Sequence, residues 1–271
     1  MQRFAFFVDG SNLYGSLRTM NLEINNYSQL YAHMYREAVR TWHEVTLQDA
    51  PACAQLRRVY WYAVGGIDDW DLQNPQSRSA LRQAFVRDAE IRALWLTRVS
   101  LGNPNMAEAE LEEAAWQACY SDFRDWYHQK LRAVDGMRRF YAGVRASSDL
   151  IDIREAGHWK VNFLHKWVEE KGLDTALAVD MVALQDNYDV AIVVSGDADA
   201  IPSIRHLKER GKHIAAVEFV GGGAADTRGR AFSSRLKVHA DFVLRIFEKD
   251  IVHLDHRNKG VAGANGNGGA G

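Results

Sequence analysis

The sequence predicts an α/β protein, a parallel sheet flanked by helices with a helical insertion, and three observations carry that expectation. Short apolar runs alternate with stretches of helical period, the pattern that builds strand–helix–strand units with parallel strands. Two of those runs, 3–8 (RFAFFV) and 189–194 (DVAIVV), give way at once to aspartates, Asp9 and the Asp197/Asp199 pair. Between about 68 and 140 the composition changes to repeated charges, alanines and tryptophans with few breakers, which reads as two or three helices set into the α/β frame.

Taken in order, the run at 3–8 is apolar enough for a strand buried on both faces, and a polar break, Asp9-Gly10-Ser11-Asn12, leads into a helical stretch. A second helix is expected from Tyr27 to Leu47, and a second strand at 57–64, closed by Gly65-Gly66. After the insertion, 149–155 reads as a third strand, and 158–171 suits either extended or helical structure. Leu177, Met181 and Leu184 share a face in a helix expected over Asp174–Asn187, with Asp174 as its N-cap. The strand at 189–194 follows, then a helix from about Ile201 to Arg210 stopped by Gly211, then a strand at 213–220. The expected organisation is a single domain over 1–255 with the insertion at about 68–140, and a disordered Gly/Ala/Asn tail over 256–271.

The 271 residues, 47% hydrophobic and 25% charged, suffice for a sizeable core without disulfides or structural metals. Cys53 and Cys119 lack metal-ligand spacing and read as free thiols of a reducing compartment. The opening apolar run is far too short for a signal peptide or a membrane span, so a cytoplasmic location without membrane partners is expected. A formal net charge of −2 gives no global basic field, so contacts to nucleic acid must come from local patches or from bound cations.

The aspartates carry the chemistry. In an open parallel sheet, ligands bind at the carboxyl ends of the strands, and Asp9, Asp197 and Asp199 converge there if both strands are central. Asp174 and Asp180 sit six residues apart on the intervening helix, about 240° around it, so they cannot both face one site from mid-helix. Clustered carboxylates repel one another unless a cation is present or their pKa values rise. Mg²⁺ and Mn²⁺ favour such oxygen donors and support water attack on a phosphodiester. The competing reading is local: an Asp after a strand commonly caps the next helix or turn, and this applies to Asp9, Asp174 and the Asp197/Asp199 pair. Asp180 lies in an apolar run and needs a partner.

Three segments, FFVDGSNLY at 6–14, EKGLDTALAVDMVAL at 170–184 and DVAIVVSGDADAIPSIRHLKERGKHI at 189–214, resemble the NYN-domain family, a branch of the PIN-like nucleases, and most closely its bacterial LabA-like members. SSRLKVHADFVLRI at 233–246 is a weaker likeness, and the region 68–140 and the tail lie outside it. The resemblance implies a PIN-like fold whose acids bind Mg²⁺ or Mn²⁺ and hydrolyse RNA to leave a 5′-phosphate. It implies Asp9, Asp180, Asp197 and Asp199 as catalytic, with Asp174 completing the metal set. Asn12 would bond Asp9 or the scissile phosphate, and Ser195 would steady the metal site. Two departures stand out: the long helical region, and Ala200 where many relatives carry a bulkier, often aromatic residue.

Arg228 and Arg230, beside the Gly221-Gly222-Gly223 run, are candidate phosphate contacts, whereas Arg205, Lys208, Arg210 and Lys212 suit a solvated face. The glycine run lacks the setting of a dinucleotide loop, the histidines show no zinc spacing, and the first strand lacks the second acid of a DxD phosphatase. The tryptophans suit a core better than base-stacking platforms. The expected partner is RNA, with a homo-oligomer open. The alternative class is a catalytically silent regulator that binds RNA or protein.

Overall fold

The computed structural model describes residues 1–46, 53–222 and 234–257. Strand β1 (Gln2–Asp9) leads into helices α1 (Gly10–Thr19) and α2 (Tyr27–Thr46) and then strand β2 (Ala54–Ile67). Three helices fill the expected insertion: α3 (Pro75–Arg87), α4 (Ala89–Gly102) and α5 (Glu108–Ser147). Strands β3 (Ile151–Asn162) and β4 (Trp167–Lys171) follow, then α6 (Leu173–Ala183), β5 (Val190–Val194), α7 (Ile201–Glu209) and β6 (His213–Val220). The described chain closes with α8 (Ser234–His239), β7 (Phe242–Phe247) and α9 (Glu248–Ile251). Most of the expected tail, from 258 onward, lies outside the described residues.

The seven strands run in the order β4-β3-β2-β1-β5-β6-β7. From β2 to β7 every neighbouring pair is parallel, as the alternation of strands and helices predicts. The sheet is nonetheless mixed, because β4 returns antiparallel on β3. That hairpin absorbs the ambiguous segment 158–171, whose aromatic and β-branched residues take the extended form. Gly65-Gly66 do not end β2, which runs through them to Ile67. A Cβ at Gly66 would come within 3.2 Å of the His158 imidazole, so the glycine lets the strand pass close by.

The chain divides into two compact units, one of 1–63, 140–156 and 172–271, the other of 64–139 and 157–171. In the first unit both sheet faces are covered, which is why β1 and β5 read as unbroken apolar runs. Phe7, Tyr62, Val193 and Ala216 point to one face and pack with Leu177 and Met181 of α6, Ile204 and Leu207 of α7, and Leu236 of α8. On the other face Phe6 and Trp61 meet Tyr31 of α2, with ring centroids 5.7 and 6.2 Å apart. The second unit has its own core, in which Phe123 and Tyr127 pack on Phe163 and Phe85 packs on Trp116. Among the described residues Trp42, Trp61 and Trp116 are core groups, whereas Trp167 is 45% exposed. No helix of the described residues is long and apolar enough to cross a membrane.

The junction of β1 and α1 is tight. A Cβ at Gly10 would lie 2.2 Å from Trp61 Nε1 and 2.8 Å from the Tyr62 carbonyl oxygen. Overpacking of this kind costs about 3 kcal/mol. Gly10→Ala is therefore expected to lower unfolding free energy by about that amount in a urea titration; a variant as stable as the wild type would show that the junction relaxes freely.

Candidate catalytic site

The site begins where β1 ends. Asp9 is the N-cap of α1: its Oδ1 accepts from the backbone N–H of Asn12 at 3.0 Å, and its Oδ2 accepts from the Asn12 side-chain amide. Asn12 thus lies three residues inside the helix and reaches back to the cap, so the local capping reading and the Asp9-bonding reading describe the same contact. Asp9 is only 3% exposed. Burial raises its pKa, the Asn12 bonds pull it back, and the charge of Asp197 pushes it up again.

Asp197 belongs to the turn after β5. Its Oδ1 accepts from the Asp199 backbone N–H at 2.9 Å, capping the short 3₁₀ turn Ala198–Ala200, while its own N–H donates to Ser195 Oγ at 3.1 Å. Ser195 is buried, Asp197 half-buried and Asp199 exposed. Ala200 is buried in the core against α6 and α7 and so offers no stacking surface.

Strand register ties these groups into one row. Asp9 pairs with Tyr62 of β2, Val8 pairs with Val194 so that Asp9 and Ser195 follow side by side, and Val193 pairs with Ala216 so that Ser195 and Glu218 follow two residues on. Glu218 in turn pairs with Arg245 of β7. Among the described residues the buried polar side chains are Asp9, Ser195, Glu218 and Asp255, and three of the four stand in this row. Sequence reading passed over Glu218, which lies inside an apolar strand. Only its even position, shared with the inward-facing Ile214 and Ala216, hints that it points to the same face. Its carboxylate is neutralised by Lys237 of α8 at 2.5 Å and Arg245 at 3.3 Å.

The remaining predicted acids stand elsewhere. The N-cap of α6 is Gly172, with φ of +86° that glycine adopts without strain, so Asp174 is not the cap but a residue of the first helical turn. There the helix dipole favours a carboxylate. Asp180 is on the same helix, and its Oδ2 accepts from Tyr62 Oη at 2.9 Å and forms an ion pair with Arg154. Arg154, missed by sequence reasoning, lies over the Tyr60 ring at 4.5 Å and also bonds Asp152. Among the described residues no group of three or more His, Cys, Asp or Glu gathers closely enough to hold a metal ion. Asn12 bonds Asp9, the charge of Asp197 acts on Asp9, and Ser195 and the Asp199 backbone bond Asp197; Asp180 turns to Arg154. Arg228 and Arg230 lie outside the described residues.

An open groove of about 980 Å³ runs beside Asn12, lined by Ser11, Gly15 and Ser16 of α1 and by Phe219, Gly221 and Glu248 at the ends of β6 and β7. It lies at the carboxyl edge of the sheet, where ligands of such folds bind.

A sequence model of the NYN domain matches residues 104–235, just under half of the chain. The match supports a place in the NYN family and includes Asp174, Asp180, Asp197 and Asp199, while Asp9 and Asn12 precede it. It also takes in α5 from the helical region, which the segment-by-segment resemblance left out. Among curated proteins, none matches the chain in sequence. A solved structure, of a protein of unknown function from Vibrio parahaemolyticus, aligns over 90% of this chain and 93% of that one, at 14% identity and a TM-score of 0.36, too distant to inform the site.

The raised pKa of Asp9 has a measurable consequence. A folded-state pKa above the ordinary 3.8 means that the folded protein holds this proton more tightly than the unfolded chain. Stability then falls as pH rises from 3.8 through the raised value. Asp9→Asn keeps a capping side chain and removes the charge. In EDTA it is expected to unfold at a higher temperature than wild type at pH 7, with the gain vanishing as pH falls into the ordinary carboxylate range. A gain that instead grew toward acid pH would contradict this reading of Asp9.

Proposed function

We propose that the chain is a divalent-metal-dependent ribonuclease of the NYN family, in its LabA-like branch, acting from the carboxyl edge of the sheet. The observation that supports this most is Asp9. It is a buried carboxylate set against the charge of a second one, Asp197, and no Lys or Arg of the described residues pairs with it. Two oxygen-donor groups that repel each other fit a hard divalent cation. Mg²⁺ is commonly held by only one or two carboxylates with several waters, so two acids suffice as donors. The fit is therefore good for Asp9 and Asp197, with Asp174 on the first turn of α6 and Asp199 at the same turn as Asp197 as further candidates. Cytoplasmic location is part of the same reading.

When bound, Mg²⁺ or Mn²⁺ supplies polarisation of the phosphate and a more acidic water. The residues do the rest. Asn12 fixes the Asp9 carboxylate through two hydrogen bonds, one to each oxygen. Ser195 holds the Asp197 backbone, and with it the turn that carries Asp197 and Asp199. Asp199, exposed on that turn, would accept a proton from the attacking water. The groove beside Asn12 is the proposed path of the RNA strand, and Arg228 and Arg230 are the proposed phosphate contacts.

The test is cleavage of a labelled single-stranded RNA with Mn²⁺, with Mg²⁺ and with EDTA. Wild type is expected to cleave only with a divalent ion, and Asp197→Asn to slow cleavage by about 100-fold or more while remaining folded. RNA bound but never cut would support the regulator reading instead. Cutting undiminished in Asp197→Asn would place the activity elsewhere.

A further inference from the structure

Resting on the metal-dependent reading, we infer that Asp180 is not a metal ligand but the anchor of a clamp, Arg154–Asp180–Tyr62, that positions α6, and that a single divalent ion binds on the Asp9–Asp197 side.

The first argument is occupancy. Both partners of Asp180, the Tyr62 hydroxyl and the Arg154 guanidinium, fall on its Oδ2. Arg154 is itself held from three sides: by Asp180, by Asp152 at 3.2 Å, and by the face of Tyr60 at 4.5 Å. Its side chain and that of Asp180 are 27% and 25% exposed, so the pair is largely withdrawn from water. Removing one member of such a pair strands the other charge. A cation at Asp180 would sit beside the positive charge of a guanidinium fixed by three contacts.

Position gives the second argument. The C-terminal end of α6 lies at the amino end of β5, because the Tyr188 hydroxyl just before that strand donates to the Met181 carbonyl. Its N-terminal end therefore points toward the carboxyl edge, where α6 also touches the 3₁₀ turn that follows Asp197. Asp174 stands in that first turn, and Asp180 is six residues further along, about 9 Å down the axis from it. The helix thus divides two acids by function. One rises to the edge, and the other is set back and tied to β2 through Tyr62 and to β3 through Arg154. Holding α6 by its middle fixes the height of its first turn relative to Asp9 and Asp197.

The experiment measures ion binding, independent of turnover: Mn²⁺ titration of the full chain by isothermal calorimetry, with free-ion electron paramagnetic resonance as a second count. Wild type is expected to bind one Mn²⁺ per chain, and Asp9→Asn and Asp197→Asn to weaken binding about 100-fold or more. Asp180→Ala is expected to weaken it only about tenfold through displacement of α6. Asp180→Asn, whose amide oxygen can accept from both Tyr62 and Arg154, is expected to restore wild-type affinity. Should Asp180→Ala fail to fold, Arg154→Met takes its place, with one ion still bound. Two ions in wild type, or loss of the ion in Asp180→Asn as complete as in Asp9→Asn, would overturn this inference alone. No ion bound by wild type at all would overturn the metal-dependent reading and this inference with it.

Discussion

The structure depends on how the chain ends a buried strand in a carboxylate. β1 is apolar on both faces because helices cover both, and an ionised group in such surroundings is costly. The fold keeps Asp9 there by giving both of its oxygens a donor from Asn12, three residues into the helix that starts immediately after it. That arrangement requires the turn to be as tight as it is. Gly10 at the first helical position brings the helix backbone against Trp61 and the Tyr62 carbonyl, where a side chain has no room. The capping of α1, the close packing of α1 on β2, and the burial of the carboxylate are one constraint seen from three sides.

The neighbouring polar groups show what the same sheet does with charges it neutralises internally. Glu218 stands in the same register row as Asp9 and is buried nearly as deeply, yet Lys237 and Arg245 close on it. Asp180 has Arg154 and the Tyr62 hydroxyl. Lys237 and Arg245 are thus assigned to Glu218 and Arg154 to Asp180, whereas the hydrogen bonds of Asp9 come from dipoles. The consequence is electrostatic: burial and Asp197 both act to raise the pKa of Asp9. A cation drawn to Asp9 would recover the cost of burying it, as anything that stabilises the charged form does.

Much of this was legible in the sequence, and what was not has a physical cause. The apolar runs at 3–8 and 213–220 marked β1 and β6 because strands covered on both faces leave no polar alternation to confuse the pattern. Gly211 stopped α7 as its positive φ requires. β2 was cut short at Gly65-Gly66, since glycine usually marks a break, whereas here it serves close passage beside His158. Asp174 was read as a cap because Asp caps helices well; Gly172, free to take a left-handed backbone, took the position first. Pair partners were the deeper gap. Arg154 lies 26 residues from Asp180, and Glu218 lies 19 from Lys237, so the partnerships depend on register between strands that no local pattern encodes.

Spacing along a helix nevertheless carried more than it seemed to. Six residues between Asp174 and Asp180 forbid a shared site from mid-helix, and the fold resolves the conflict by direction rather than by capping. α6 descends from the carboxyl edge toward the amino end of β5, so its first turn and its third belong to different levels of the sheet. Asp174 stands in the first turn of α6, whereas Asp180, six residues on, meets the side chains of β2 and β3. The Tyr62 hydroxyl and the Arg154 guanidinium are what the sheet offers at that depth, and a carboxylate there is stable because they satisfy it. The six-residue step between Asp174 and Asp180 is thus both a descent along the helix and a turn of about 240° around it.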